Sequence, residues 1–89
     1  MVRKAFTVTG VVQGVFFRKH LAEQAVALGL TGFVQNLPDG SVYAEAQGSE
    51  EKVSLLFEWC QMGSPASRVE MVVAEEMTCT GDQEFSIRR

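Results

Sequence analysis

One histidine, His20, and two cysteines, Cys60 and Cys79, are the whole stock of imidazole and thiol in this chain of 89 residues. A disulfide between the cysteines would need an oxidising setting. Cys60 sits in an apolar helical stripe, where a buried free thiol is common, so free thiols are the expected state. Positive charge is also scarce. Eight Lys and Arg against eleven Asp and Glu give a net charge of -3 and a pI near 5.0. That balance argues against broad binding to nucleic acid, which needs a basic face, and leaves room only for a local basic site. The amino-terminal stretch Met1 to Gly10 carries positive charge but no continuous apolar segment long enough for a signal peptide or a membrane span. No membrane association and a cytoplasmic location are therefore expected. Repeats and low-complexity tracts are absent, and the length leaves room for one domain, residues 1–89, with a small core.

What is present is ordered by one short stretch, Gly10-Val11-Val12-Gln13-Gly14-Val15-Phe16-Phe17-Arg18. Before it, Phe6, Val8 and Val12 share one parity and Thr7 and Thr9 the other, the period of a strand with one buried face, over Lys4 to Val12. After it, Phe17, Leu21, Ala25 and Leu28 lie on one side of a helix, with Ala22 and Val26 widening the stripe. Gly29 supplies a left-handed cap over which Leu30 folds back. Thr31 to Leu37 reads as a second strand. Pro38-Asp39-Gly40 turns the chain into a third, with Val42, Ala44 and Ala46 at alternate positions. Ser49 caps a second helix whose first turn holds Glu50 and Glu51, and Val53, Leu56, Phe57 and Cys60 form its buried stripe up to Gly63.

Gly63 to Ser67 is a connection. Val69 to Met77 follows as a strand with apolar residues of both parities, as expected if both its faces are covered. Thr78 to Gln83 reads as a polar turn, and Glu84 to Arg88 as a short last strand led by Phe85 and Ile87. The order βαββαβ plus a short C-terminal strand predicts an α+β, ferredoxin-like sandwich, an antiparallel sheet with two helices on one face. Each crossover makes its two strands parallel, so the first two strands end at the same edge, bringing the loop at Gln13 to Arg18 beside Asn36.

From Gln13 to Phe17 the loop has no acid, base, nucleophile or metal ligand. Any chemistry there rests on backbone N–H groups and the guanidinium of Arg18, donors that suit an anion. The Walker spacing is absent, and Gly14 alone fits a structural turn as well as an anion site. A guanidinium at a helix start meets an unfavourable dipole end, a poor place for stability and a good one for gripping an anion. A surface Arg paired with a carboxylate is the plain alternative. Asn is depleted in strands, so Asn36 either caps the turn or holds a water near the anion.

No nucleophile emerges from the remaining residues. Cys60 lacks an Arg at the C-x5-R spacing, and His20 is turned to a different side of the helix from Arg18. Met77-Thr78-Cys79 resembles the start of a metal-carrier motif, but Asp82 stands where the second Cys is needed. Ser64, Ser67, Glu50, Glu51, Glu75 and Glu76 show no pairing with a base.

Val12-Gln13-Gly14-Val15-Phe16-Phe17-Arg18, then Gly29 to Asn36 followed by Asp39-Gly40-Ser41-Val42, resembles the acylphosphatase family. Trp59-Cys60 and Gly63-Ser64-Pro65 agree, so the resemblance runs from about Phe6 to Ile87. Phe33 stands where many members have Trp or Tyr, and Tyr43 where Glu is frequent, both positions of packing or surface. Nothing in the sequence requires an oligomer, so a monomer is the default expectation. The resemblance implies hydrolysis of the carboxyl-phosphate bond of acyl phosphates, without metal or cofactor. It implies that Gln13, Gly14, Val15, Phe16, Phe17 and Arg18 bind the phosphoryl group, or phosphate or sulfate in its place, and that Arg18 and Asn36 are catalytic, Asn36 positioning the attacking water. Physical chemistry agrees with that division. A carboxylate leaving group has a pKa near ~4 and needs no general acid, leaving phosphoryl charge as the main thing to stabilise. The rival class is a non-catalytic binding module on the same sandwich, a degenerate anion-binding domain being its best form.

Overall fold

The computed structural model describes residues 1–88. Seven elements follow in order: β1 (Val2–Val11), α1 (Phe17–Ala27), β2 (Thr31–Asn36), β3 (Val42–Gly48), α2 (Glu50–Met62), β4 (Arg68–Met77) and β5 (Phe85–Ile87). The sheet order is β4-β1-β3-β2-β5. β3 runs antiparallel to both β1 and β2, so these two point the same way and finish at one end of the sheet. The two helices pack on each other and on one face, in a ferredoxin-like α+β arrangement.

Alternation decides which side chains meet the helices. Phe6 and Val8 of β1, Val34 of β2 and Val42, Ala44 and Ala46 of β3 close on Leu21 and Ala25 of α1 and on Val53, Leu56 and Cys60 of α2. Each of these is fully buried or nearly so. Burial pushes the Cys60 thiol up to about 12, so it is an inert core group, while the other free cysteine, Cys79, is exposed. α1 ends as its sequence requires. Gly29 adopts φ 72° and the N–H groups of Gly29 and Leu30 bond back to the carbonyls of Val26 and Ala25, with Leu30 buried against the core. Ser49 caps α2, its Oγ accepting from the Lys52 N–H at 3.2 Å.

Three expectations need correction. The sheet is mixed rather than wholly antiparallel, because β5 pairs parallel with β2. The segment from Thr78 to Glu84 stays at the end of the sheet where β4 finishes, so the chain re-enters as β5 in the direction of β2. Second, β4 is not covered on both faces. It is the edge strand, with only Val69 and Val72 half-buried, while Met71 and Val73 stand exposed on the helix-free face. Third, Val26 does not widen the buried stripe of α1. It is 63% exposed, because its flank of the helix looks past β5, a strand of only three residues.

The 78–84 segment is a strap rather than a loose turn. Arg3, buried on the helix-free face, donates Nε to Glu45 at 2.8 Å, Nη1 to Thr80 at 3.0 Å and Nη2 to Asp82 at 3.0 Å. Gln47 completes the clamp, donating to the Thr80 carbonyl at 2.8 Å and accepting from its N–H at 2.7 Å. Burial alone would lower the pKa of Arg3, but Glu45 and Asp82 outweigh it and hold the guanidinium above its ordinary value. Among the described residues no helix is long and apolar enough to cross a membrane.

At Gly32 the chain has φ 137°, and a Cβ there would lie 1.9 Å from the Glu45 carbonyl oxygen of the neighbouring strand. Gly32→Ala should therefore destabilise the fold by roughly 3 kcal/mol, left-handed strain and backbone collision together. A urea midpoint within error of the parent would contradict this.

Candidate active site

The parallel direction of β1 and β2 brings two short segments together at one end of the sheet: the loop between β1 and α1, and Asn36 at the end of β2. Between them lies a cleft of about 370 Å³ lined by Val12, Gly14, Phe16, Phe17, Arg18, Lys19, Asn36 and Ile87. The loop that contributes to its wall has an unusual backbone conformation. Gly14 has φ 74° and Phe16, at the N-cap of α1, has φ 59° and ψ 24°, the one non-glycine residue with positive φ among those described. Left-handed residues two positions apart turn the amides out of any ladder. Among the described residues, no N–H from Gln13 to Lys19 has a protein acceptor; the first helical bond is His20 N–H to the Phe16 carbonyl at 3.1 Å. No side chain caps the helix either. The result is a cradle of free donors at the positive end of a helix dipole, a setting for an anion.

Two contacts hold the loop in a shape it would not otherwise keep. Phe17 is buried and its ring meets Trp59 of α2 at 5.3 Å between centroids, which pins the start of α1. On the other side, Gln13 donates Nε2 to the carbonyls of Leu37 and Ser41, both at 2.8 Å. These belong to the turn after β2, itself closed by Asp39, whose carboxylate accepts from the Ser41 N–H at 2.9 Å and hydroxyl at 2.6 Å. Those two bonds hold the Asp39 pKa below its ordinary value.

Arg18 is half-buried on the cleft wall and donates Nη1 to the carbonyl of Arg88 at 2.8 Å. A carbonyl is neutral, so this contact fixes the guanidinium without cancelling its charge. Asn36 lines the same cleft, and its buried Oδ1 has no hydrogen-bond partner among the described residues. It does not cap the turn; Asp39 does that. A buried amide oxygen left unpaired is costly and marks a place for a water or a ligand donor.

Of the residues expected at the site, Gly14, Phe16, Phe17, Arg18 and Asn36 therefore line one cleft. Val15 packs instead against the core, and the Gln13 carboxamide is spent on the neighbouring turn. Sequence reading missed that bracing role, the Lys19 and Ile87 walls, and the Arg88 carbonyl. The last has no sequence signal, since every residue carries a carbonyl. His20 lies near the surface beside Glu23 at 3.4 Å, and Cys60 is in the core. Among the described residues no group of three or more His, Cys, Asp or Glu side chains converges as a metal site.

Known proteins resemble this chain in sequence and fold. A family model described as acylphosphatase matches residues 4–87. The acylphosphatase of Methylococcus capsulatus is 46% identical over 90 residues, an alignment covering 100% of this chain and 98% of that protein. Among solved structures, an acylphosphatase from Bacillus subtilis superposes with a TM-score of 0.97 at 34% identity, covering 100% of both chains. Another from Coxiella burnetii gives 0.94 at 38% identity, covering 98% of this chain and 92% of that one.

The bracing by Gln13 is separable from the fold. Gln13→Ala removes two bonds, although each carbonyl keeps a backbone donor, Leu37 from Gly40 and Ser41 from Leu37, so unfolding should become easier by about 2 kcal/mol. Affinity for inorganic phosphate should fall as the loop loosens. Calorimetric titration with phosphate on the folded variant checks this; unchanged affinity would mean that the loop keeps its shape without the brace.

Proposed function

The chain belongs to the acylphosphatase family and hydrolyses acyl phosphates, and from that premise we propose that Arg18 and Asn36 carry the reaction, with the backbone of Gln13 to Arg18 as the phosphoryl cradle. The observation that carries this assignment is the meeting, around one cleft, of a fixed guanidinium, a run of unpaired amides and Asn36, whose buried Oδ1 has no partner among the described residues.

The phosphoryl oxygens lie against the loop amides, and Arg18 supplies the fixed positive charge that meets them. Asn36 Oδ1 accepts a hydrogen from water and so orients a lone pair of that water toward phosphorus. The water oxygen forms its bond to phosphorus as the bond to the acyl oxygen breaks in line, and the carboxylate departs with the electron pair. The released proton passes to a phosphoryl oxygen of the substrate. No general acid is called for, because the leaving carboxylate is already a weak base at neutral pH.

What distinguishes this from a binding module is the pairing of water site and cradle; a module that merely held an anion would have no use for an unsatisfied amide oxygen beside it. The same reading takes residues 1–89 as one domain working as a cytoplasmic monomer without cofactor, holding phosphate or sulfate in the loop when substrate is absent.

Benzoyl phosphate should be hydrolysed at an undiminished rate in EDTA; activity lost to chelation would point to a metal enzyme, and none at all to a binding module. Arg18→Ala should nearly abolish both turnover and phosphate binding. Asn36→Ala should lower kcat by ~10²-fold to 10³-fold, the usual cost of one pre-placed polar group, while inhibition by phosphate persists. A twofold effect on kcat would sink the water-positioning role.

A further inference from the structure

Lys19, Ala22, Glu23, Val26 and Ala27 recur along α1 at the i, i+3, i+4, i+7, i+8 spacing and so share one helix face. This is the flank that looks past the core, with Val26 63% exposed. Between it and Ile87 of β5, itself 45% exposed, runs a shallow groove of about 420 Å³ whose lining is almost wholly apolar. The groove adjoins the catalytic cleft, Lys19 and Ile87 lining both. Asn36 lines the cleft and not the groove.

An acyl phosphate has two ends, and the cradle accounts for only one. In-line displacement puts the leaving carboxylate on the side of phosphorus opposite the attacking water. With the water at Asn36, the acyl group leaves on the other side of phosphorus, and the groove, which shares Lys19 and Ile87 with the cleft and is not lined by Asn36, is the apolar surface within reach of it. Lys19 and Glu23 stand in its lining, but its open surface is almost wholly that of alanine, valine and isoleucine, which offers little to a sugar-like or highly polar acyl group. Hydrocarbon would shed water against it.

We propose that the groove between α1 and β5 is the acyl subsite, and that it selects acyl phosphates with a straight apolar acyl chain of medium length. The proposal rests on the reading of the cleft as the phosphoryl site. From Lys19 to Val26 the helix advances roughly 10 Å, a run matched by an acyl chain of about eight carbons. Contacts of this kind are made equally before and during bond breaking, so they lower KM and leave kcat unchanged.

The test is a chain-length series on the full-length protein: acetyl, butanoyl and octanoyl phosphate, each below its aggregation limit. The expected result is a rise in kcat/KM of about tenfold from acetyl to octanoyl phosphate, carried by KM. Val26→Ser should lower the octanoyl-to-butanoyl ratio by about fivefold, Val26→Leu should restore it, and Leu55→Ser, an exposed apolar position on α2, should not move it. An octanoyl phosphate no better than acetyl phosphate, or a ratio indifferent to Val26→Ser, would overturn the subsite while leaving hydrolysis in place. A parent protein that binds phosphate yet cleaves none of the three would overturn the hydrolytic reading and the subsite with it.

Discussion

Seven consecutive amides from Gln13 to Lys19 lack an acceptor among the described residues, and everything around them serves to keep them that way. A loop with unpaired donors gains little from its own bonds, so its shape must be imposed from outside. Phe17 against Trp59 fixes the helix start, and Gln13 ties the other end to the turn after β2. The left-handed Phe16 between these anchors is strain that the anchors sustain. The cleft thus draws its rigidity from both helices and two strands although its free amides come from one short stretch.

A second chain of dependence runs through the helix-free face. Arg3 is buried there with Glu45, Thr80 and Asp82 around it, which straps residues 78–84 across the end of the sheet. The strap delivers β5 to the side of β2, and just beyond β5 the carbonyl of Arg88 meets the guanidinium of Arg18. The Arg88 guanidinium also lies over the Phe33 ring at 3.6 Å, anchoring the same segment by cation–π attraction. Tyr43 adds its hydroxyl to Glu45 at 2.7 Å, and burial followed by that bond pushes its own pKa up to about 12. A polar network on one face of the sheet therefore supports a charge presented at its edge.

Much of this was legible in the residues. Alternation in β1 and β3, the 3.6-residue period of both helices, Gly29 as a left-handed cap and Ser49 as an N-cap each rest on local physics, and the structure agrees with all of them. The nearness of the loop and Asn36 followed from crossover direction alone. What could not be read is what depends on neighbours distant in sequence. Apolar residues of both parities in β4 look the same in an edge strand as in a covered one, and Val26 repeats with the helix period whether or not anything packs on it. The parallel entry of β5 hangs on where the strap lies, which is set by Arg3 about eighty residues earlier. Gln13 gave no hint that its side chain, rather than its backbone, would reach the next loop.

Arg18 and the carbonyl that steadies it are separated by 70 positions. A ribosome makes the cradle, both helices and most of the sheet before it makes residue 88. A nascent chain can assemble its hydrophobic interior early and still lack the restraint on the Arg18 guanidinium. The charge at the cleft is then steadied only after residue 88 has cleared the exit tunnel and β5 has docked beside β2.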